Sequence, residues 1–247
     1  MTPNKSQISS APLALRSGPD TTSSGRPSAG PPARLALADG AVFHGVGFGA
    51  TGRGIAQTAE VVFNTAMCGY QESLTDPSYT GQILVQTFPL IGNTGVNEDD
   101  TESRKVQVAG FVVRELTRRP SNFRATDDLS SYLARAGVLG IEGIDTRALT
   151  RRLRTAGVMP GIISDRADLS DDDLVRMARE APSMDGQNLV PLVGCNAPQS
   201  WSDTLGDWAP GSGRTGLQTG PSGATSRRYK VLALDCGVKA NILRNLT

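Results

Sequence analysis

The chain has 247 residues, enough for one large domain or two small ones and for a real hydrophobic core. Hydrophobic residues make up 38% and charged residues 20%, and 25 Lys and Arg against 24 Asp and Glu leave a formal charge of +1. That balance excludes a global field for nucleic acid or an anionic membrane surface, and the lack of any apolar run of about 18 residues excludes a membrane-spanning helix.

Residues 1–33 are dominated by Ser, Thr, Pro and Gly and offer almost nothing to bury, so a disordered arm is expected there. The arm lacks the apolar core of a signal peptide, and Lys5, Arg16 and Arg26 are few cations for a transit peptide. The body, residues 34–208, opens with two short runs around Asp39-Gly40, a hairpin signal. The runs Glu60–Asn64, Gln82–Thr87 and Val106–Val113 are apolar or β-branched and predict strands.

Then the period changes. Thr126-Asp127-Asp128 caps a helix carrying Leu129, Tyr132, Leu133 and Ala136 on one face, stopped by Gly137. Asp145 caps a second helix, Thr146–Ala156, with Leu149 and Leu153 inward and Arg147, Arg151, Arg152 and Arg154 mostly outward. Ser170 and the acids Asp171, Asp172 and Asp173 start a third at the positive end of its dipole, with Leu174, Met177, Ala178 and Ala181 apolar and Pro182 closing it. Strands first and helices later predict an α+β fold, a mixed β-sheet body with helices.

Residues 209–228 are Gly- and Ser-rich and read as a linker. Residues 229–247 differ in kind. Lys230–Leu234 reads as a fully apolar strand, Asp235-Cys236-Gly237 as a turn, and Ala240–Leu246 as the start of a helix. That is the first β-turn-α unit of a parallel α/β sheet. One strand and half a helix cannot bury both faces, so the expectation is the truncated start of an α/β domain.

Each candidate site has a plain structural reading beside the functional one. Gly47-x-Gly49-x-x-Gly52 matches a dinucleotide fingerprint, and with it a nucleotide-dependent oxidoreductase. No helix signal follows, so a flexible loop between strands is expected. His44, the single histidine, follows an aromatic residue without an obvious Cys or Asp partner and reads as packed or solvent-facing. Cys68, Cys195 and Cys236 are too few for a disulfide framework or a zinc site, and reduced thiols in a cytoplasm are expected. Cys68 reads as a small buried filler and Cys236 as a structural thiol. The arginines after Asp145 leave two readings open, a solvated basic face or a face for phosphate or a partner's acids. Asn4 and Asn245 match the glycosylation pattern without meaning in a cytoplasmic protein, and no Walker-type loop is present. Gly69–Glu72 and Ile91–Gly95 read as polar, glycine-containing loops, and Asp76-Pro77-Ser78-Tyr79 as a turn.

Several of these segments succeed one another as a longer pattern: Glu60–Thr65, Met67-x-Gly69-Tyr70-Gln71-Glu72, Leu74-Thr75-Asp76-Pro77-Ser78-Tyr79, Ile91-Gly92-Asn93-x-Gly95, Ser121–Arg124, Leu129–Leu133 and Ile144–Arg151. In that order they resemble the amino-terminal domain of the small, glutamine-hydrolysing chain of carbamoyl-phosphate synthase. Leu234-Asp235-x-Gly237-x-Lys239-x-Asn241-Ile242-Leu243-Arg244 resembles the beginning of that chain's class I glutamine amidotransferase domain. The resemblance implies a ligase with a glutaminase half-reaction. Ammonia from L-glutamine passes to a large synthetase subunit, where bicarbonate, ATP and Mg form carbamoyl phosphate for arginine and pyrimidine synthesis. It implies a substrate-binding role for Ser78, whose hydroxyl and adjacent backbone groups would orient glutamine. It implies no catalytic residue, metal or cofactor site within this stretch, because the family's nucleophilic cysteine and its histidine and acid partners lie further along. Cys236 sits at the first strand-turn rather than at the nucleophile elbow, and Cys68 stands where the family often has Thr or Ser. A docking module that binds the large subunit through Arg147, Arg151 and Arg152, without chemistry, is the alternative.

Overall fold

The computed structural model describes residues 30–206 and 229–247. The expected linker, and the expected arm up to residue 29, lie outside them. Strand β1 (Pro32–Leu37) starts two residues ahead of the expected body. It turns back through Ala38-Asp39-Gly40 into β2 (Val42–Gly49), pairing Leu35 with Phe43. Gly40 sits at φ 97°, which makes this the three-residue hairpin loop that needs a left-handed final residue.

The mixed sheet does not stay open. Strands β3 (Ala56–Asn64), β4 (Gln82–Gln86), β6 (Gly110–Val112), β8 (Leu139–Glu142) and β9 (Met159–Ser164) join the hairpin in a closed barrel ordered β1-β2-β8-β6-β4-β3-β9. The contacts β3·β4, β4·β6 and β6·β8 are parallel, and the others are antiparallel. A two-stranded ribbon of β5 (Leu90–Ile91) and β7 (Glu115–Leu116) stands apart. The strand expected over Val106–Val113 forms only at Gly110–Val112, because the amide of Gln107 is drawn to the carbonyl of Leu74 instead of a ladder.

Strand alternation sorts the core into three buried clusters. Leu35, Leu37, Val61, Ile83, Val85, Val112, Ile141 and Ile163 share one, into which α3 (Thr146–Ala156) feeds Leu149 and Leu153. Their strand neighbours Leu84 and Phe111 point the other way, under α1 (Tyr70–Thr75) and α2 (Leu129–Ala136). Ala36 and Ile162 meet Leu174, Val175 and Ala178 of α4 (Asp171–Glu180). The caps fall where the sequence puts them. Asp128 accepts from the Ser131 amide, Asp145 from Ala148, and Ser170 forms a reciprocal capping box with Asp173. The Ser170 hydroxyl and Arg176 hold the Asp173 carboxyl down at about 2.

Two expectations are corrected. Gly69–Glu72 is no loop, since Tyr70–Thr75 form α1 behind a left-handed Gly69. Lys230–Leu234 is no strand either, and Leu232 and Leu234 are nine-tenths exposed. The cause is topological. A closed barrel has no free edge, so an added apolar segment finds no ladder to join. After it come the expected turn at Asp235–Gly237 and α6 (Ala240–Arg244), while α5 (Val190–Val193) is a short helix the sequence reading did not anticipate.

Barrel closure relies on bare backbone where side chains cross. A Cβ on Gly140 would lie 2.4 Å from the Phe48 ring and one on Gly161 would lie 2.5 Å from Val61. Gly140→Ala is therefore expected to lower unfolding stability by roughly 1–3 kcal/mol in urea titration, an overpacking cost. An unchanged midpoint would contradict this packing.

Candidate functional site

The chain leaves α1 at Asp76 and enters a single 3-10 turn, Pro77–Tyr79, before β4. Pro77 presets the turn and brings no amide hydrogen. Asp76 Oδ1 accepts from the Ser78 amide at 2.8 Å, and the Asp76 carbonyl accepts from the Tyr79 amide. The Pro77 carbonyl takes both the amide and the hydroxyl of Thr80. Tyr79 is fixed through its hydroxyl, which accepts from Asn64 Nδ2 at the end of β3, and that amide also donates to Ser73. Thr80 reaches Gln107 on the neighbouring loop.

Every backbone donor of the turn is thus consumed. Ser78 itself is exposed, and its hydroxyl makes no hydrogen bond among the described residues. The sequence-level idea that neighbouring backbone groups share in substrate binding is narrowed by this. The amides face inward, and the hydroxyl is the hydrogen-bond donor left for a ligand.

The segment from Asp235 to Arg244 docks beside the turn. Asp235 Oδ1 accepts from the amides of Gly237 and Val238, and Oδ2 from that of Cys195. Gly237, at φ 105°, passes so close to Pro77 and Val193 that a side chain has no room. Glu102, nearly buried, accepts from both the backbone and the side-chain amide of Asn241, and its own carbonyl accepts from Ala240. Lys239 Nζ lies 2.7 Å from Asp76 Oδ2. This bond to Asp76 holds the ammonium above the usual lysine range. Arg244 ties the end of α6 to the carbonyls of Asp99 and Thr101.

Behind the turn the charge is mostly negative. Burial, together with Asp100 and Glu102, raises the Glu72 carboxyl, while Arg124 opposes the rise. Arg124 is engaged by Asp99 and Asp100. A cleft of about 580 Å³ opens here between Asp99, Asp100, Phe123, Arg124, Asn241 and Arg244. Ser78 is not on its wall, and its charged groups already serve one another, so the turn rather than the cleft is the candidate site.

The other sequence candidates do not converge on it. The amides of Gly52, Arg53 and Ile55 all point at the Asp165 carboxylate, so a protein acid occupies the place a phosphate would need. No helix follows that loop, and β3 does. His44 faces solvent as expected, but it has a partner the sequence did not show. Its Nε2 lies 3.1 Å from Asp171, which also pairs with Arg34. Cys68, Cys195 and Cys236 are all exposed, which overturns the buried readings of Cys68 and Cys236; both sit on loops rather than beneath a sheet. Arg147, Arg151 and Arg154 lie on the outer face of α3, and Arg152 pairs with Asp39. Sequence reasoning missed Lys239 and Glu102. The only signal for either is a charged residue in or beside a family motif, which says nothing about its partner.

The family model described as carbamoyl-phosphate synthase small chain, CPSase domain, matches residues 35–163, just over half of the chain and the whole barrel from Leu35 to Ile163. The chain belongs to the carbamoyl-phosphate synthase small-chain family. The carbamoyl phosphate synthase small chain of Syntrophotalea carbinolica is 51% identical over 212 residues, covering 86% of this chain and 53% of that protein. The small chain of Nitratidesulfovibrio vulgaris is also 51% identical, over 216 residues, covering 86% and 54%. The chain spans about half the length of these curated relatives. An aminopeptidase from Aneurinibacillus sp. strain AM-1 superposes at a TM-score of 0.32 with 16% identity, over 55% of this chain and 31% of that one, and bears on neither fold nor function. Among the described residues of this small-chain relative, no helix is long and apolar enough to cross a membrane.

Docking of the Asp235 segment has a pH signature. Burial pushes the Asp235 carboxyl up, but the amides of Val238, Gly237 and Cys195 outweigh it and leave the group below its ordinary value. A depressed carboxyl stabilises the fold above its unfolded value of about 3.9, and that contribution fades as pH falls through the lower folded value. Amide protection of Gly237 and Val238 should therefore drop between about pH 5 and pH 2.5, and Asp235→Asn should show the low protection at both ends. Equal protection in wild type across that range would refute the anchoring role.

Proposed function

We propose that this chain is the glutamine-side component of a glutamine-dependent carbamoyl-phosphate synthase. It would pass ammonia from L-glutamine to a large synthetase subunit in the cytoplasm, where ATP and Mg act and carbamoyl phosphate forms for arginine and pyrimidine synthesis. Family membership supports the small-chain role. The observation that carries the site is the Asp76–Tyr79 turn. Its amides are spent internally, and it presents one free hydroxyl, that of Ser78.

Ser78 is the residue we assign to glutamine. A hydroxyl both donates and accepts, so it can meet either the amide or the carboxylate end of that substrate. The rigid turn fixes it in advance, so little side-chain freedom is lost on binding. No nucleophile role is given to Cys68, Cys195 or Cys236. The reading therefore holds that this stretch does not release glutamate from glutamine by itself. A second reading, a docking module without chemistry, draws on the row Arg147, Arg151 and Arg154. These three exposed cations stand at helical spacing and have no ion-pair partner among the described residues.

The test separates glutamine handling from everything downstream. In the complex with the large subunit, Ser78→Ala should raise the glutamine KM by roughly 5–100-fold, the worth of one lost substrate hydrogen bond. Carbamoyl phosphate synthesis from added ammonia should be unchanged. Equal glutamine kinetics for wild type and S78A would remove Ser78 from the site, and glutamate release by the isolated 247-residue chain would contradict the assignment of no nucleophile.

A further inference from the structure

The Asp76 carboxylate faces two ways. One oxygen holds the Ser78 amide and the other holds Lys239. Its side chain is only 9% exposed, so water offers little in place of either partner. Glu102, a second nearly buried carboxylate, is already committed to Asn241. Lys239 is thus the one ion-pair partner of Asp76 among the described residues, and it arrives on a segment fixed independently of it. The Asp235 turn, the Asn241 bonds and the Arg244 bonds each secure that segment.

We infer that Lys239 is a positioning residue for the Ser78 hydroxyl, acting through Asp76. This rests on the assignment of Ser78 to glutamine and extends it, since it names what sets the geometry of the turn. Without the ammonium, a nearly buried carboxylate is left with one unsatisfied oxygen. It relieves that by taking a proton or by rotating toward water, and either change weakens its grip on the Ser78 amide. The turn then loses the bond that orients residue 78, while the barrel behind it is untouched. Docking of the 235–244 segment and readiness of Ser78 are, on this account, one coupled event.

The first measurement needs no activity. In the 15N-labelled 247-residue chain, Lys239→Met should speed exchange of the Ser78 amide about tenfold and leave the β4 amides of Ile83 and Leu84 unchanged, the pattern of a local opening. Lys239→Arg, which keeps the charge, should restore most of the protection. An unmoved Ser78 amide in K239M overturns the inference, as does equal acceleration of turn and β4 amides, which marks a purely structural lysine. The second measurement uses the complex with the large subunit. There K239M should raise the glutamine KM about five- to tenfold with kcat within about twofold, the split expected when only substrate positioning is lost. A fall in kcat with unchanged KM overturns it. If S78A leaves the glutamine KM unchanged, the glutamine assignment fails, and the exchange experiment alone decides whether Lys239 holds the turn.

Discussion

Barrel closure is the constraint on which the rest depends. Once β9 pairs with both β1 and β3, the sheet has no edge left, and everything that follows must attach by side chains and caps. α4 does so by burying Leu174, Val175 and Ala178. The carboxyl-terminal segment has no comparable apolar face to bury. It is held by carboxylates that reach for backbone amides, from Asp235 and Glu102, and by one ammonium against Asp76. An apolar run that reads as a strand is therefore left exposed, while three polar contacts decide where the chain lies.

The Asp76 turn shows how such a scaffold makes a site with few parts. Proline removes one amide, the carboxylate of Asp76 takes the next, and the carbonyls of Asp76 and Pro77 take the two after that. What remains outward is a single hydroxyl on a turn braced by Tyr79, Asn64 and Ser73. Economy of donors gives selectivity. A ligand that binds here meets one fixed group, not a flexible patch, and the cost of ordering that group is already met in the fold.

Much of the architecture was legible because local rules and tertiary structure agreed. The Asp39-Gly40 hairpin, the caps at Asp128, Asp145 and Ser170, and the alternation through Leu35 and Ile83 depend on neighbours within a few residues or on burial alone. The barrel was not legible, since closure is decided by the meeting of β1 and β9, more than a hundred residues apart. α1 was missed because Tyr70–Thr75 is a single short helix whose polar members, Gln71, Ser73 and Thr75, are buried. Those residues are satisfied by distant partners such as Asn97, Asn64 and Glu102, which periodicity cannot supply. Ser78 was readable only through a motif. Its isolation as the free donor, and the lysine that faces Asp76, needed coordinates.

The central claim is that the Ser78 hydroxyl on this pre-set turn meets glutamine. The most direct measurement is a crystal structure of the chain in its assembled enzyme with glutamine bound. The account predicts Ser78 Oγ within about 3.0 Å of a polar atom of the substrate, with the Asp76 to Ser78 amide bond intact. Glutamine seated elsewhere, with that hydroxyl contacting solvent alone, would contradict it.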